Sequence, residues 1–122
     1  MSAPILSLDG FLVVTIQKNP TDSEIISLHE TLLRRVSEVR TDGVLIDLTA
    51  LEVMDSFCTR MLRAVARTIG LRGAPVVIAG IQPEVAFAMV QLGLTLQGIP
   101  TALDLEEGID LLRRRRRRER GS

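Results

Sequence analysis

The chain has 122 residues, the length of one ordinary domain, and its 46% hydrophobic and 25% charged residues exclude a disordered chain. Three Phe with no Trp or Tyr, one Cys and one His leave no internal disulfide, no zinc centre and no Ser-His or Cys-His pair beyond His29, and they argue against a stacking platform for bases or sugars. The net charge of zero hides an asymmetry: in 113–122 seven arginines against Glu119 give +6, so the stretch ending at Leu112, with eight basic and fourteen acidic side chains, carries −6.

Pro4 to Leu8 and Phe11 to Ile16 read as two short strands, and Asp9-Gly10 between them is a hairpin signal, because Gly accepts the positive φ of a tight turn. Thr21 to Glu24 has the form of a capping box, and Ile25, Leu28, Leu32, Val36 and Val39 follow at helical spacing, with His29 on the boundary. After the Asp42-Gly43 turn, Val44 to Leu48 is almost wholly apolar, as a strand covered on both faces must be. Ser56 to about Leu71 reads as a helix with the stripe Met61, Leu62, Val65 and Ile69, ended by Gly70 and Gly73. Pro75 to Ala79 forms another buried strand. Pro83 opens a helix that Gly93 stops, Ile99 to Leu103 is a short last strand, and Asp104 and Glu107 cap a final helix through Leu112. The order β-β-α-β-α-β-α-β-α gives an α/β sheet with helices packed against it. The organisation expected is one domain over 1–112 and an arginine-rich tail over 113–122.

No apolar run reaches the roughly 18 residues of a membrane span, and no charged segment followed by an apolar one opens the chain. A cytoplasmic protein without membrane contact, metal or cofactor is expected. The tail has two readings. One is attraction to nucleic acid, to acidic lipid or to an acidic partner. The other, favoured by the lack of interleaved aromatics or Gly, is a solvated, self-repelling extension of the last helix.

Enzyme signatures are missing: there is no Gly-rich phosphate loop and no Gly-x-Gly-x-x-Gly after a strand. Asp47, Glu52 and Asp55 could pair for acid–base work, but carboxylates at strand ends are commonplace in α/β proteins. Cys58 has no Cys-x-x-Cys partner. It is either a low-pKa thiol in a first helical turn or, the reading preferred, a small semi-buried filler. The most informative segment is Leu48 to Leu62, LTALEVMDSFCTRML, in which a buried strand leads through a short loop to Asp55-Ser56 at a helix start. Ser56 has an ordinary explanation as the N-cap. It has a regulatory one as a phosphoacceptor, since a helix N-terminus tolerates a phosphoryl group that adds about −1.5 to −2 charges. Composition leaves both open.

Val44-Leu45-Ile46-Asp47-Leu48 followed by Asp55-Ser56-Phe57 resembles the signature of STAS domains, the family of bacterial anti-anti-sigma factors. The likeness extends through Ala79-Gly80-Ile81-Gln82-Pro83-Glu84-Val85-Ala86 and Leu92-Gly93-Leu94 to Gly98-Ile99-Pro100-Thr101-Ala102-Leu103, and covers roughly Pro4 to Leu112. Within the family it is most similar to the RsbS type, the stressosome scaffold without a sensor domain. The resemblance implies a mixed β-sheet with helices packed against it and no catalytic activity. It implies assembly with RsbR-like STAS paralogues into a large complex that holds an RsbT-like serine kinase. That kinase would phosphorylate Ser56 and be released, and a phosphatase would reset Ser56. Asp55, Phe57, Thr59 and Arg60 would form the partner-docking surface, with Thr59 a second candidate phosphoacceptor. A near alternative is a simple anti-anti-sigma factor that binds an anti-sigma kinase one to one. The arginine run is not part of the family's pattern.

Overall fold

The computed structural model describes residues 5–121, so the expected strand start at Pro4 lies outside the described residues. Strands β1 (Ile5–Leu8), β2 (Phe11–Thr15), β3 (Gly43–Asp47), β4 (Val76–Ala79) and β5 (Thr101–Ala102) form one sheet in the order β1-β2-β3-β4-β5. The β1–β2 pair is antiparallel and the other three pairings are parallel. Asp9 and Gly10 both have positive φ, 53° and 84°, and the two-residue turn they make matches the right-handed twist of the strands it joins.

The parallel strands alternate between two cores. Leu12, Val14, Val44, Ile46, Val76 and Ile78 face helices α1 (Asp22–Glu38), α2 (Ser56–Leu71) and α3 (Pro83–Gln91). Phe11, Val13, Leu45, Val77 and Ala79 face the opposite way, against Ile109 and Leu112 of helix α4 (Leu105–Gly121). Coverage on both faces is why these strands read as unbroken apolar runs. α4 lies close to the sheet because Gly108 has no side chain; a Cβ there would run into Leu45 Cδ1.

Helix ends follow their local chemistry. Thr21 and Glu24 form the capping box of α1, the Thr21 side chain accepting from Glu24 N at 3.2 Å and Glu24 Oε1 from Thr21 N at 3.0 Å. α1 ends at Glu38, so Val39 becomes an exposed C-cap rather than a member of its apolar stripe. Asp104 Oδ1 accepts from Glu107 N at 2.8 Å at the start of α4. Two expectations are corrected. The last strand has two residues, not five: Pro100 has no N–H to donate, and Leu103, 82% exposed, has already left the sheet.

The second correction concerns the arginines. They extend the last helix as expected, α4 running unbroken to Gly121. Arg114, Arg117 and Arg118 stay exposed, but the face that carries Arg113, Arg116 and Arg120 is docked rather than solvated. Arg113, Arg116 and Arg120, spaced to share one helical face, reach two turns of the domain. Arg113 Nε and Arg116 Nη2 donate to Asp9 Oδ2 at 2.8 and 3.2 Å, and Arg116 Nη1 donates to Asp9 O at 2.7 Å and Asp42 Oδ2 at 3.2 Å. Arg120 Nη2 lies 3.4 Å from Asp42 Oδ2. The Arg116 guanidinium also stacks over Phe11, 4.5 Å from the ring centroid, and its side chain is only 19% exposed. The two arginines hold the Asp9 carboxyl below the usual carboxylate range, mainly through the hydrogen bond from Arg113.

Candidate functional site

The loop from Leu48 to Asp55 carries the end of β3 to the start of α2, and it is fixed along its length. Leu51 and Met54 are buried in the main core. Thr49 donates from both its backbone N and its hydroxyl to Asp47 Oδ1, at 3.0 and 2.6 Å. Gln82 Nε2, from the N-cap of α3, donates to Thr49 O at 2.6 Å. On the other side Glu52 N donates to Lys18 O at 3.0 Å, and the Lys18 ammonium lies 3.0 Å from Glu52 Oε1. These anchors take up Asp47 and Glu52 separately, so the carboxylates considered for acid–base chemistry do not form a pair.

At the end of this loop Asp55, not Ser56, is the N-cap. Its backbone is extended (φ −99°, ψ 179°) and its Oδ1 accepts from Cys58 N at 2.8 Å. Ser56 is the first helical residue and is exposed, and its hydroxyl makes no hydrogen bond among the described residues. The N-cap explanation of Ser56 therefore falls. A carboxylate one residue earlier satisfies the orphan donor, and the serine hydroxyl is left free. The first intrahelical bond runs from Thr59 N to Asp55 O at 3.0 Å, and the cap takes Cys58 N, so the N–H groups of Ser56 and Phe57 remain open beside that hydroxyl.

The neighbouring candidates divide by position. Arg60 is exposed one helical turn beyond Ser56 and forms no ion pair among the described residues, and Phe57 is half-buried, packed against the core edge. Thr59 is 1% exposed and its hydroxyl donates to Asp55 O at 2.9 Å. This corrects its place in both roles. The side chain faces the interior, where it neither lines a docking surface nor meets a kinase without opening the helix start. Cys58 sits in the first turn but is 3% exposed, and its thiol is pushed up to about 11 by burial and then by the Asp55 and Asp22 carboxylates. Those effects outweigh the helix dipole, so the low-pKa alternative fails and the filler reading stands. A shallow hollow of about 130 Å³ beside Asp55 is lined by Asn19, Asp22 and Val53. Asp22 and Asp55 in this lining place two carboxylates on the N-terminal side of Ser56. Among the described residues, no three His, Cys, Asp or Glu side chains are grouped to hold a metal ion. No helix among them is long and apolar enough to cross a membrane.

The family model for the STAS domain matches residues 3–108. The chain belongs to the STAS domain family. Its mixed five-stranded sheet with four helices is the STAS fold of anti-sigma factor antagonists. A solved serine-to-glutamate variant of RsbS from Moorella thermoacetica is 41% identical, with a TM-score of 0.83, over 94% of this chain and 97% of that one. A chain of the stressosome, solved as a signal integration and transduction hub, is 39% identical with a TM-score of 0.76, over 93% and 99% of the two chains. The RsbT co-antagonist protein RsbRA of Bacillus subtilis is 32% identical over 110 residues, or 89% of this chain; the chain spans 40% of that relative's length.

Sequence reasoning placed Ser56, Asp55 and Arg60 on one exposed helix start. It missed the anchors that hold the start still, Gln82 on the Thr49 carbonyl and Lys18 on Glu52, because both span distant parts of the chain. It also missed the Arg113, Arg116 and Arg120 clamp, whose only sequence trace is a helical spacing concealed by arginines on every neighbouring position.

Proposed function

We propose that this STAS domain is a non-enzymatic, phosphorylation-switched scaffold of a stressosome. It assembles with RsbR-type paralogues and with its own copies, and holds an RsbT-type serine kinase. It releases that kinase once Ser56 is phosphorylated, and a phosphatase resets Ser56. The observation that carries the reading is the free hydroxyl of Ser56 on an immobilised helix start whose cap is supplied by Asp55. Similarity over nearly the full length of a stressosome chain and of an RsbS supports the circuit. So does similarity to a protein named as an RsbT co-antagonist.

Phosphorylation at Ser56 changes the surface without dismantling the fold. The new group meets the open N–H donors of Ser56 and Phe57 and the positive end of the helix dipole. Arg60 lies four residues on, within reach of the phosphate on the same helical face. The switch therefore adds negative charge beside Asp55 and Asp22 and draws Arg60 away from a partner, and both effects weaken an interface with an acidic kinase surface. The test is intact-mass and peptide mass spectrometry after incubation with ATP and the RsbT-type kinase of the same genome. One added phosphate on the peptide containing Ser56, absent in Ser56→Ala, is expected. No phosphate, with the kinase active on a control substrate, would overturn the switch.

A further inference from the structure

At the other end of α2 from Ser56, a cleft of about 470 Å³ opens between α2, α4 and the loop that precedes β5. Its size is that of a small-ligand site. Arg63 and Arg67 enter it from α2 and Arg115 from α4, and the lining contains no Asp or Glu. At 1.5 Å per residue, Arg63 and Arg67 stand about 10 and 16 Å along α2 from Ser56. The floor is apolar, with Ala74, Val76 and Ile99.

What sets Arg63, Arg67 and Arg115 apart is that they line one cleft; lacking a partner they share with Arg114, which lies on the exposed face of α4. Arg113, Arg116 and Arg120 of the same α4 are each ion-paired to Asp9 or Asp42. Arg63, Arg67 and Arg115 have no hydrogen bond or ion pair among the described residues, although Arg115 is partly buried. Three arginines around one concave surface whose lining holds no carboxylate focus a positive potential into the cleft, although Arg63 and Arg67 are exposed. A guanidinium fork matches the oxygens of a phosphate.

We propose that this cleft binds a small, soluble, phosphate-bearing anion, at a site separate from the Ser56 surface. The test is isothermal titration calorimetry of the full chain with pyrophosphate as probe, alongside Arg63→Gln, Arg115→Gln and, as a control on the exposed face of α4, Arg114→Gln. Saturable one-site binding is expected, weakened about fivefold or more by Arg63→Gln and by Arg115→Gln and within about twofold of the parent in Arg114→Gln. All three side chains are unpaired, so the far-ultraviolet circular dichroism of each variant should match the parent. Absence of saturable heat would overturn the proposal, as would an equal loss in Arg114→Gln, which would mark general attraction to the arginine helix. Co-sedimentation with vesicles of anionic phospholipid that Arg115→Gln abolishes, with no heat from pyrophosphate, would also overturn it in favour of a membrane surface.

Discussion

Replacing Asp55 by Ala removes the acceptor of Cys58 N at 2.8 Å and leaves that first-turn N–H to water. Loss of an N-cap of this kind costs about 1 kcal/mol. For 122 residues the unfolding entropy near 60 °C is roughly 0.26 kcal/mol per degree, so the melting temperature should fall by about 4 °C. Ser56→Ala removes a hydroxyl with no internal partner, and its melting temperature should stay within about 2 °C of the parent. Asp55→Asn keeps an acceptor oxygen in the same place and should recover most of the loss. Differential scanning calorimetry of the three variants at one protein concentration reads these shifts directly. A larger loss in Ser56→Ala than in Asp55→Ala would return the cap to the serine. It would also remove the argument that its hydroxyl is free for modification.

Cys58 should alkylate slowly at pH 8, with a rate that rises only when the chain is unfolded, because burial and the Asp55 carboxylate hold the thiol near 11. Rapid iodoacetamide labelling of the folded chain, followed by mass spectrometry, would contradict this. Asp9 titrates below 3.8, so the clamp on α4 contributes its full stability above about pH 4 and loses it as the pH falls through the folded value. In hydrogen exchange, protection of 113–121 should therefore fall on acidification, and Arg116→Gln should show the loss already at neutral pH. Unchanged protection in both would refute the clamp. Leu112→Ala opens a void beneath α4 at a fully buried position and should cost about 3 kcal/mol, roughly 12 °C in melting temperature. A shift under about 3 °C would mean that the second core is not closed by this helix.

The two central strands were legible in the sequence because burial on both sheet faces writes an unbroken apolar run, as Val44 to Leu48 shows, whereas the short edge strand β5 was overextended. The capping box at Thr21 and the turn at Asp9-Gly10 were equally legible, since each is set by neighbours within four residues. The candidate site was legible to within one residue. Asp55 and Ser56 are both good caps, and only the side-chain geometry decides that the carboxylate takes the role. What stayed hidden depends on contacts far apart in the chain. Arg116 meets Asp9 and Asp42 more than seventy positions away, so a run that reads as a solvated extension of the last helix has one docked face. Thr59 looked like a surface neighbour of Ser56, yet the helical turn carries it inward beside Cys58.

The most direct measurement reconstitutes the domain with an RsbR-type paralogue, adds the RsbT-type kinase and follows it by size-exclusion chromatography before and after ATP. Kinase that travels with a large particle at first, and leaves it only when Ser56 is present and phosphorylated, is the expected result. Kinase that stays bound after stoichiometric phosphorylation of Ser56, or that leaves equally from a Ser56→Ala particle, would contradict the switch.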